Sequence, residues 1–233
     1  MNRFWSKLTK LILVTEQPKV IVEIGAERGL HTVKLLEYCQ HFDGKVYVID
    51  PLPLFDVPSY KQVYQSHFVH LAHVSLEALP EIEDDYDLVL VDGDHNWYTV
   101  YHELKEIEKK ANKMGRFPII ILHDIEWPYG RRDMYYNPDT IPKEYIKPHA
   151  KKGIEQGKSS LLEEGGFNAT LFNAEQEGGE KNGVLTAVED FLNETKWNVS
   201  FHRAESNNGL GIIVEKSEKR DELMKYIIHS SGL

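Results

Sequence analysis

The sequence predicts an α/β fold: a mostly parallel seven-stranded sheet, helices on both faces, and a C-terminal antiparallel hairpin. Three observations carry that prediction. Five short β-branched, apolar runs recur in the first half of the chain, at 20–24, 45–50, 68–74, 86–92 and 117–122. Such unbroken runs suit strands buried on both faces. Helix-like segments separate them, and strands alternating with helices build a parallel sheet with right-handed crossovers. Near the C-terminus, runs at 197–202 and 210–215 flank the polar turn 204–209, which reads as a hairpin.

Taken in order, residues 1–17 interleave Phe4, Trp5, Leu8, Leu11 and Ile12 with Arg3, Lys7 and Lys10 at helical spacing, an amphipathic helix packed on the domain or on a second subunit. It lacks an unbroken apolar core and a small-residue cleavage site, so it does not read as a signal peptide. The first strand, 20–24, is interrupted only by Glu23. A glycine turn follows, then a helix bearing Leu30, Val33, Leu35 and Leu36. Helices are expected at 59–68, at 75–82 with Leu76 and Leu79 inward, and at 95–114 with Val100, Leu104, Ile107 and Ala111 on one face. Residues 148–183 hold seven glycines and few apolar runs, with a weak element near 161–172. The stretch 125–183 is therefore expected to cover the substrate side of a single domain spanning 1–233. Helices at 184–195 and 218–229 complete the chain.

Composition excludes several classes. Apolar content of 41% and charged content of 27% are those of a folded globular chain. A net charge of −10 argues against a nucleic-acid surface, which draws on clustered Lys and Arg. No stretch approaches the ~20 apolar residues that span a bilayer. The single Cys39 rules out an internal disulfide and fits the reducing cytoplasm.

Candidate chemistry lies where the strands end. Gly25 and Gly29 are four apart, giving G-x-x-x-G instead of the G-x-G-x-x-G of a dinucleotide site. Turn amides and the following helix N-terminus can receive an anionic group. Glu23 before the turn, with no pyrophosphate cradle, suits a ligand bearing one carboxylate and an adenosine. Asp50 ends the second run, where a carboxylate can accept two hydrogen bonds from a ribose diol. Asp92-Gly93-Asp94-His95 follows the fourth run and His123-Asp124 the fifth. Such polar density directly after apolar strands, at the sheet edge where ligands bind, marks a functional site. Next comes Trp127-Pro128-Tyr129-Gly130-Arg131-Arg132-Asp133-Met134-Tyr135-Tyr136. Its arginines and aromatics suit an anionic or sugar-like substrate, with Trp127, Tyr129, Arg131, Arg132 and Tyr135 as contacts.

The stretch 19–32 resembles motif I of the class I S-adenosylmethionine-dependent methyltransferases, whose Rossmann-like sheet also ends in a hairpin. YDLVLVDGDHNWY followed by IIILHDIEWP narrows the resemblance to small-molecule O-methyltransferases of the catechol and macrocin-type sugar kinds, over about residues 19 to 126. The resemblance implies S-adenosylmethionine bound by Glu23, Gly25, Ala26, Gly29, His31, Thr32, Asp50, Ser75 and Asp92. His31 stands where a Ser is common. Val74 replaces an acid that contacts adenine, which leaves Ser75 and backbone amides for that role. It also implies Mg²⁺ or another divalent metal at Asp92, His123 and Asp124. His123 replaces an acid there, which points away from magnesium, an ion that prefers oxygen. His95 matches the general base, expected to be neutral beside a helix N-terminus. Asp92 shares the catalytic role.

The expected function is O-methylation of a small hydroxylated acceptor, sugar-like or a natural product, by a cytoplasmic enzyme able to form a homo-oligomer. Two further classes compete: a metal-dependent phosphoesterase, from the GDH and HD fragments, and a non-catalytic nucleotide-binding module. The first leaves the glycine turn unexplained; intact acids at both strand ends count against the second. G-x-x-x-G disfavours a nicotinamide-linked oxidoreductase.

Overall fold

Strand β1, Val20–Ile24, lies in the interior of the sheet and buries every side chain except that of Val20. The computed structural model describes residues 1–233. Beside β1 run β2, Lys45–Ile49, and β4, Leu88–Val91, both parallel to it. With β3, Phe68–Leu71, and β5, Ile119–His123, they form the parallel part of a seven-stranded sheet. The hairpin of β9, Val199–Ala204, and β10, Leu210–Glu215, completes it, β10 pairing antiparallel with β5. The strand order is β3-β2-β1-β4-β5-β10-β9. Fold class and hairpin are as the residue pattern predicts.

Side chains alternate between the two faces because the strand period is two. Ile21, Val46, Leu88 and Ile121 pack against the N-terminal segment, α2 (Thr32–Phe42) and α7 (Glu218–Ser231). Val22, Val89, Ile120 and Ile213 pack against α4 (Ser75–Ala78), α5 (Trp97–Met114) and α6 (Val184–Glu194). Glu23 projects with the first set, toward α2. Cys39 is buried there too, and burial pushes its thiol up to about 12, so it is unreactive.

Boundaries move for local reasons. α5 begins at Trp97, because Asn96 is its cap and accepts from the Thr99 amide at 2.8 Å. α3, Val57–Tyr64, starts earlier than expected because Asp56 caps it and Pro58 occupies its first turn. Leu30 is exposed and precedes α2. The N-terminal segment is not one regular helix. A 3₁₀ turn at Asn2–Phe4 and a wide π-type coil at Trp5–Thr9 lead into α1, Lys10–Glu16. Phe4, Leu8, Ile12 and Leu13 are buried, while Leu11 is exposed. No helix is long and apolar enough to cross a membrane.

The glycine-rich stretch is ordered. β6 (Met134–Tyr135), β7 (His149–Lys151) and β8 (Phe172–Ala174) form a small antiparallel sheet in the order β6-β8-β7. Strands of two and three residues are too short to show an alternation. Asp133 ties this region to the main body, accepting from the amides of Trp97 at 2.7 Å and Gly183 at 2.6 Å, at the starts of α5 and α6.

Glu103 on α5 is fully buried, and neither of its oxygens completes a hydrogen bond. Burial pushes its carboxyl up to about 8 from 4.5, against a downward pull from the Ser75 hydroxyl. The folded protein therefore keeps this proton between those values while the unfolded chain releases it, so stability falls as pH rises through that window. Glu103→Gln carries no titrating proton. It should melt higher than the parent at pH 8, by on the order of 3 kcal/mol, and the gain should vanish near pH 4.5. Thermal melts of both proteins across that range check this.

Candidate active site

The strand register places Ile24, Ile49, Val91 and Leu122 side by side, so Gly25, Asp50, Asp92 and His123 share one edge of the sheet. Gly25 sits at φ +84°, and a Cβ on it would lie 2.2 Å from the Asp92 carbonyl oxygen. The turns after β1 and β4 pack that closely only because residue 25 has no side chain. Gly29 is also at positive φ, +71°. Beneath the turn, buried Glu23 accepts from His31 Nδ1 at 2.8 Å and from the Thr32 hydroxyl at 2.6 Å. His31 Nε2 is buried and without a partner. Asp50 Oδ2 accepts from the amides of Ala26 and Glu27, both at 2.9 Å, and Oδ1 from the Leu52 amide at 2.9 Å. Here the Ala26 amide is spent on Asp50, and the turn is held by that carboxylate. Ser75 is buried at the start of α4, with Val74 exposed beside it.

Asp92, His95, His123 and Asp124 converge at the ends of β4 and β5, with one donor atom from each within 4.8 Å of every other. Asp124 Oδ2 lies 2.7 Å from His95 Nε2 and 2.6 Å from His123 Nδ1. His123 Nδ1 is also 3.0 Å from Asp92 Oδ1. Asp124 Oδ1 accepts from Asn208 Nδ2 at 2.6 Å, in the β9–β10 turn. Asp124 adopts φ +60°, a left-handed conformation rare outside glycine, although it is buried.

The electrostatics correct the expected state of His95. Burial opposes its charge, but Asp124, Asp92 and Asp94 outweigh burial and raise its pKa. The helix N-terminus does not set its pKa: Asn96, not His95, caps α5. His123 is likewise raised, to about 9, because Asp92 and Asp124 overcome burial. In turn, burial would raise both acids, yet His123 holds Asp92 below the usual carboxylate range and His95 holds Asp124 well below it. His95 Nδ1 and His123 Nε2 are buried without partners.

On the acceptor side the structure brings only some of the expected residues to the cluster. The Tyr129 ring lies 5.4 Å from His95, its hydroxyl held by Asn168 and Asn173. Trp127 packs on Phe167 and lines a cleft of about 290 Å³ with Glu126, Gln156, Glu205, Ser206 and Asn207. Arg131, Arg132 and Tyr135 are not brought there. Arg131 makes a bidentate pair with Glu189 on α6. Arg132 is 1% exposed and donates to the carbonyls of Ala174, Lys158 and Ser159. Tyr135 is buried, its hydroxyl donating to Asp133 at 2.9 Å.

Residues that the sequence did not single out complete the site. Tyr136 is exposed, with its ring edge-on to His95 at 5.8 Å. The N-terminal segment roofs the edge: the Phe4 ring meets His123 and the Trp5 ring meets His31, each at 5.6 Å. The Met1 ammonium donates to Asp92 Oδ2 at 2.5 Å. Only the apolar spacing of Phe4 and Trp5, and the turn signal at Asn208-Gly209, hinted at these positions.

Residues 22–125 match the family model of a methyltransferase domain. No curated protein matches the sequence. Among solved structures, the S-adenosylhomocysteine-bound methyltransferase PaMTH1 of Podospora anserina superposes with a TM-score of 0.54 at 15% identity, over 89% of this chain and 77% of that one. The Burkholderia thailandensis 1,6-didemethyltoxoflavin-N1-methyltransferase, solved with its substrate and S-adenosylhomocysteine, gives 0.48 at 13% identity, over 90% and 78%. Human N-acetylserotonin methyltransferase in complex with S-adenosylmethionine gives 0.47 at 13%, over 93% and 54%. The chain carries a methyltransferase domain at residues 22–125 and has the class I methyltransferase fold. It is an S-adenosylmethionine-dependent enzyme of that class.

Arg132 separates a structural arginine from a ligand-binding one. Arg132→Met should destabilise the protein by on the order of 2–4 kcal/mol, because buried carbonyls lose their donor. Arg131→Met, on the half-exposed pair, should cost less than about 1 kcal/mol. Denaturant melts of the two variants measure the contrast.

Proposed function

We propose that this enzyme transfers the methyl group of S-adenosylmethionine to a hydroxyl of a small, sugar-like acceptor, with His95 as general base. The observation that carries the reading is the Asp124–His95 contact. Asp124 orients the ring through Nε2 and leaves Nδ1, which has no partner, to take a proton. This pair stands on the same sheet edge as the glycine turn.

In the cofactor's place, Gly25 keeps the turn clear for close approach, and His31 and Thr32 at the start of α2 suit the methionine carboxylate. Asp50 suits the ribose and Ser75 the adenine. The acceptor hydroxyl attacks the methyl carbon, the carbon–sulfur bond breaks to leave S-adenosylhomocysteine, and the hydroxyl proton passes to His95 Nδ1. Tyr129 and Tyr136 wall that side. The adjoining cleft supports a polyhydroxylated acceptor: it offers the Trp127 face together with amide, hydroxyl and carboxylate groups. No Lys or Arg lines it, which speaks against an anionic acceptor.

A divalent metal fits the neighbouring donors. Asp92 Oδ1, His123 Nδ1 and Asp124 Oδ2 are mutually close, Asp124 buried and the other two half-buried, and would hold the ion. Such an ion lowers the pKa of a bound hydroxyl and fixes its orientation. The buried thiol of Cys39 and the charge of −10 suit an enzyme of the cytoplasm that acts on small molecules, not on nucleic acid.

Calorimetric titration of S-adenosylhomocysteine tests the cofactor contacts. Asp50→Ala should weaken binding by ~2 kcal/mol or more, and Gly25→Val should abolish it while the protein stays folded. Unchanged isotherms for both would refute those contacts. With radiolabelled S-adenosylmethionine and a panel of sugar and phenol acceptors, His95→Gln should cut the rate by about 10²–10⁴ and leave cofactor affinity intact. The parent's rate should rise with pH through a limb above the ordinary imidazole value, since the base must first lose a proton that its acidic neighbours hold. That limb should be missing in His95→Gln.

A further inference from the structure

The donors beside His95 discriminate among ions. We infer that Asp92, His123 and Asp124 form a site for a nitrogen-accepting transition ion, of the zinc or iron(II) class, and that His123 sets this choice against magnesium. The inference rests on the metal-assisted part of the function proposed above.

Geometry supplies the site. Ligands about 2.1 Å from a metal stand about 3 Å apart at right angles and about 3.4 Å apart at the corners of a zinc tetrahedron. His123 Nδ1 lies 3.0 Å from Asp92 Oδ1 and 2.6 Å from Asp124 Oδ2, so a small shift admits an ion among the three. The Phe4 edge and the burial of Nε2 hold the ring with Nδ1 toward the two acids. Asn208 occupies Asp124 Oδ1, which leaves Oδ2 for the centre. His95 approaches that same Oδ2 from outside the trio at 2.7 Å and orients the carboxylate, the part an outer partner plays around a metal.

Chemistry supplies the selectivity. Magnesium takes oxygen ligands, demands an octahedron and keeps several waters. Here one protein donor in three is an imidazole nitrogen, and the Phe4 ring packs against it. Zinc and its neighbours accept nitrogen and work with three protein donors plus an exchangeable position. One residue therefore decides the ion, and replacing the imidazole by a carboxylate should bring magnesium back.

The test uses the full chain, stripped by chelator and dialysed, titrated calorimetrically with zinc and with magnesium, with bound metal counted by mass spectrometry. The parent should bind one zinc per chain, at least about 100-fold tighter than magnesium. His123→Asp should narrow that ratio by about 10-fold or more, and Asp124→Asn should remove the single zinc. His95→Gln should weaken zinc and magnesium alike, by about 10–100-fold, as the loss of an outer partner does, and leave their ratio unchanged. If His123→Asp does not fold, His123→Asn serves in its place and must weaken zinc. Equal zinc and magnesium affinities, or an unchanged ratio in the position-123 variant, would overturn the selectivity. A zinc-to-magnesium ratio that narrows in His95→Gln as much as in His123→Asp would make His95 a ligand and overturn the three-donor assignment. S-adenosylhomocysteine is titrated into the same stripped protein. If zinc fails to bind while S-adenosylhomocysteine still does, the metal site alone is overturned, whereas absence of S-adenosylhomocysteine binding overturns the cofactor reading beneath it.

Discussion

Everything at the reactive edge depends on a contact without a side chain: the Gly25 backbone lying against the Asp92 carbonyl. A Cβ there would collide with backbone, which cannot rotate aside. The constraint joins the turn after β1 to the turn after β4, and so sets the glycine turn beside the acids and histidines. Asp50 reinforces it by holding the amides of Ala26 and Glu27. The turn is shaped before any ligand arrives, which lowers the entropy lost on binding.

The four-residue cluster balances itself in the same way. The imidazoles lower the pKa of each carboxylate and the carboxylates raise that of each imidazole, against burial that opposes all four charges. Buried charges persist only when paired this closely. Removing one member leaves its partners uncompensated, so the cluster acts as a unit and single substitutions there will not add.

Much of this was legible in the residues. The strands at 20–24 and 86–92 declare themselves because burial on both faces demands unbroken apolar runs. The motifs at Asp92–His95 and His123-Asp124 declare themselves because polar groups seldom follow such runs without a task. Other features depend on distant partners. Arg132 looks like a ligand contact in sequence, yet its acceptors are carbonyls of Lys158, Ser159 and Ala174 in a stretch whose short strands show no periodicity. The charge on His95 could not be read from its neighbours in sequence, because Asp124 on another strand end sets it against the helix. Nor could the roof formed by Phe4 and Trp5, whose partners lie on β5 and before α2.

Asp124 has one further consequence, for engineering. Its backbone is held at φ +60°, where a side chain other than glycine's costs on the order of 1 kcal/mol. A glycine would relax the chain there but would strip both histidines of their shared carboxylate. Stability and chemistry thus pull this position in opposite directions, and the molecule has settled on chemistry. Efforts to harden this enzyme against heat should look elsewhere, to exposed Leu30 or Leu11 or to the glycine-rich stretch of the small sheet. The strain at Asp124 comes with the pairing of His95 and His123 on its carboxylate.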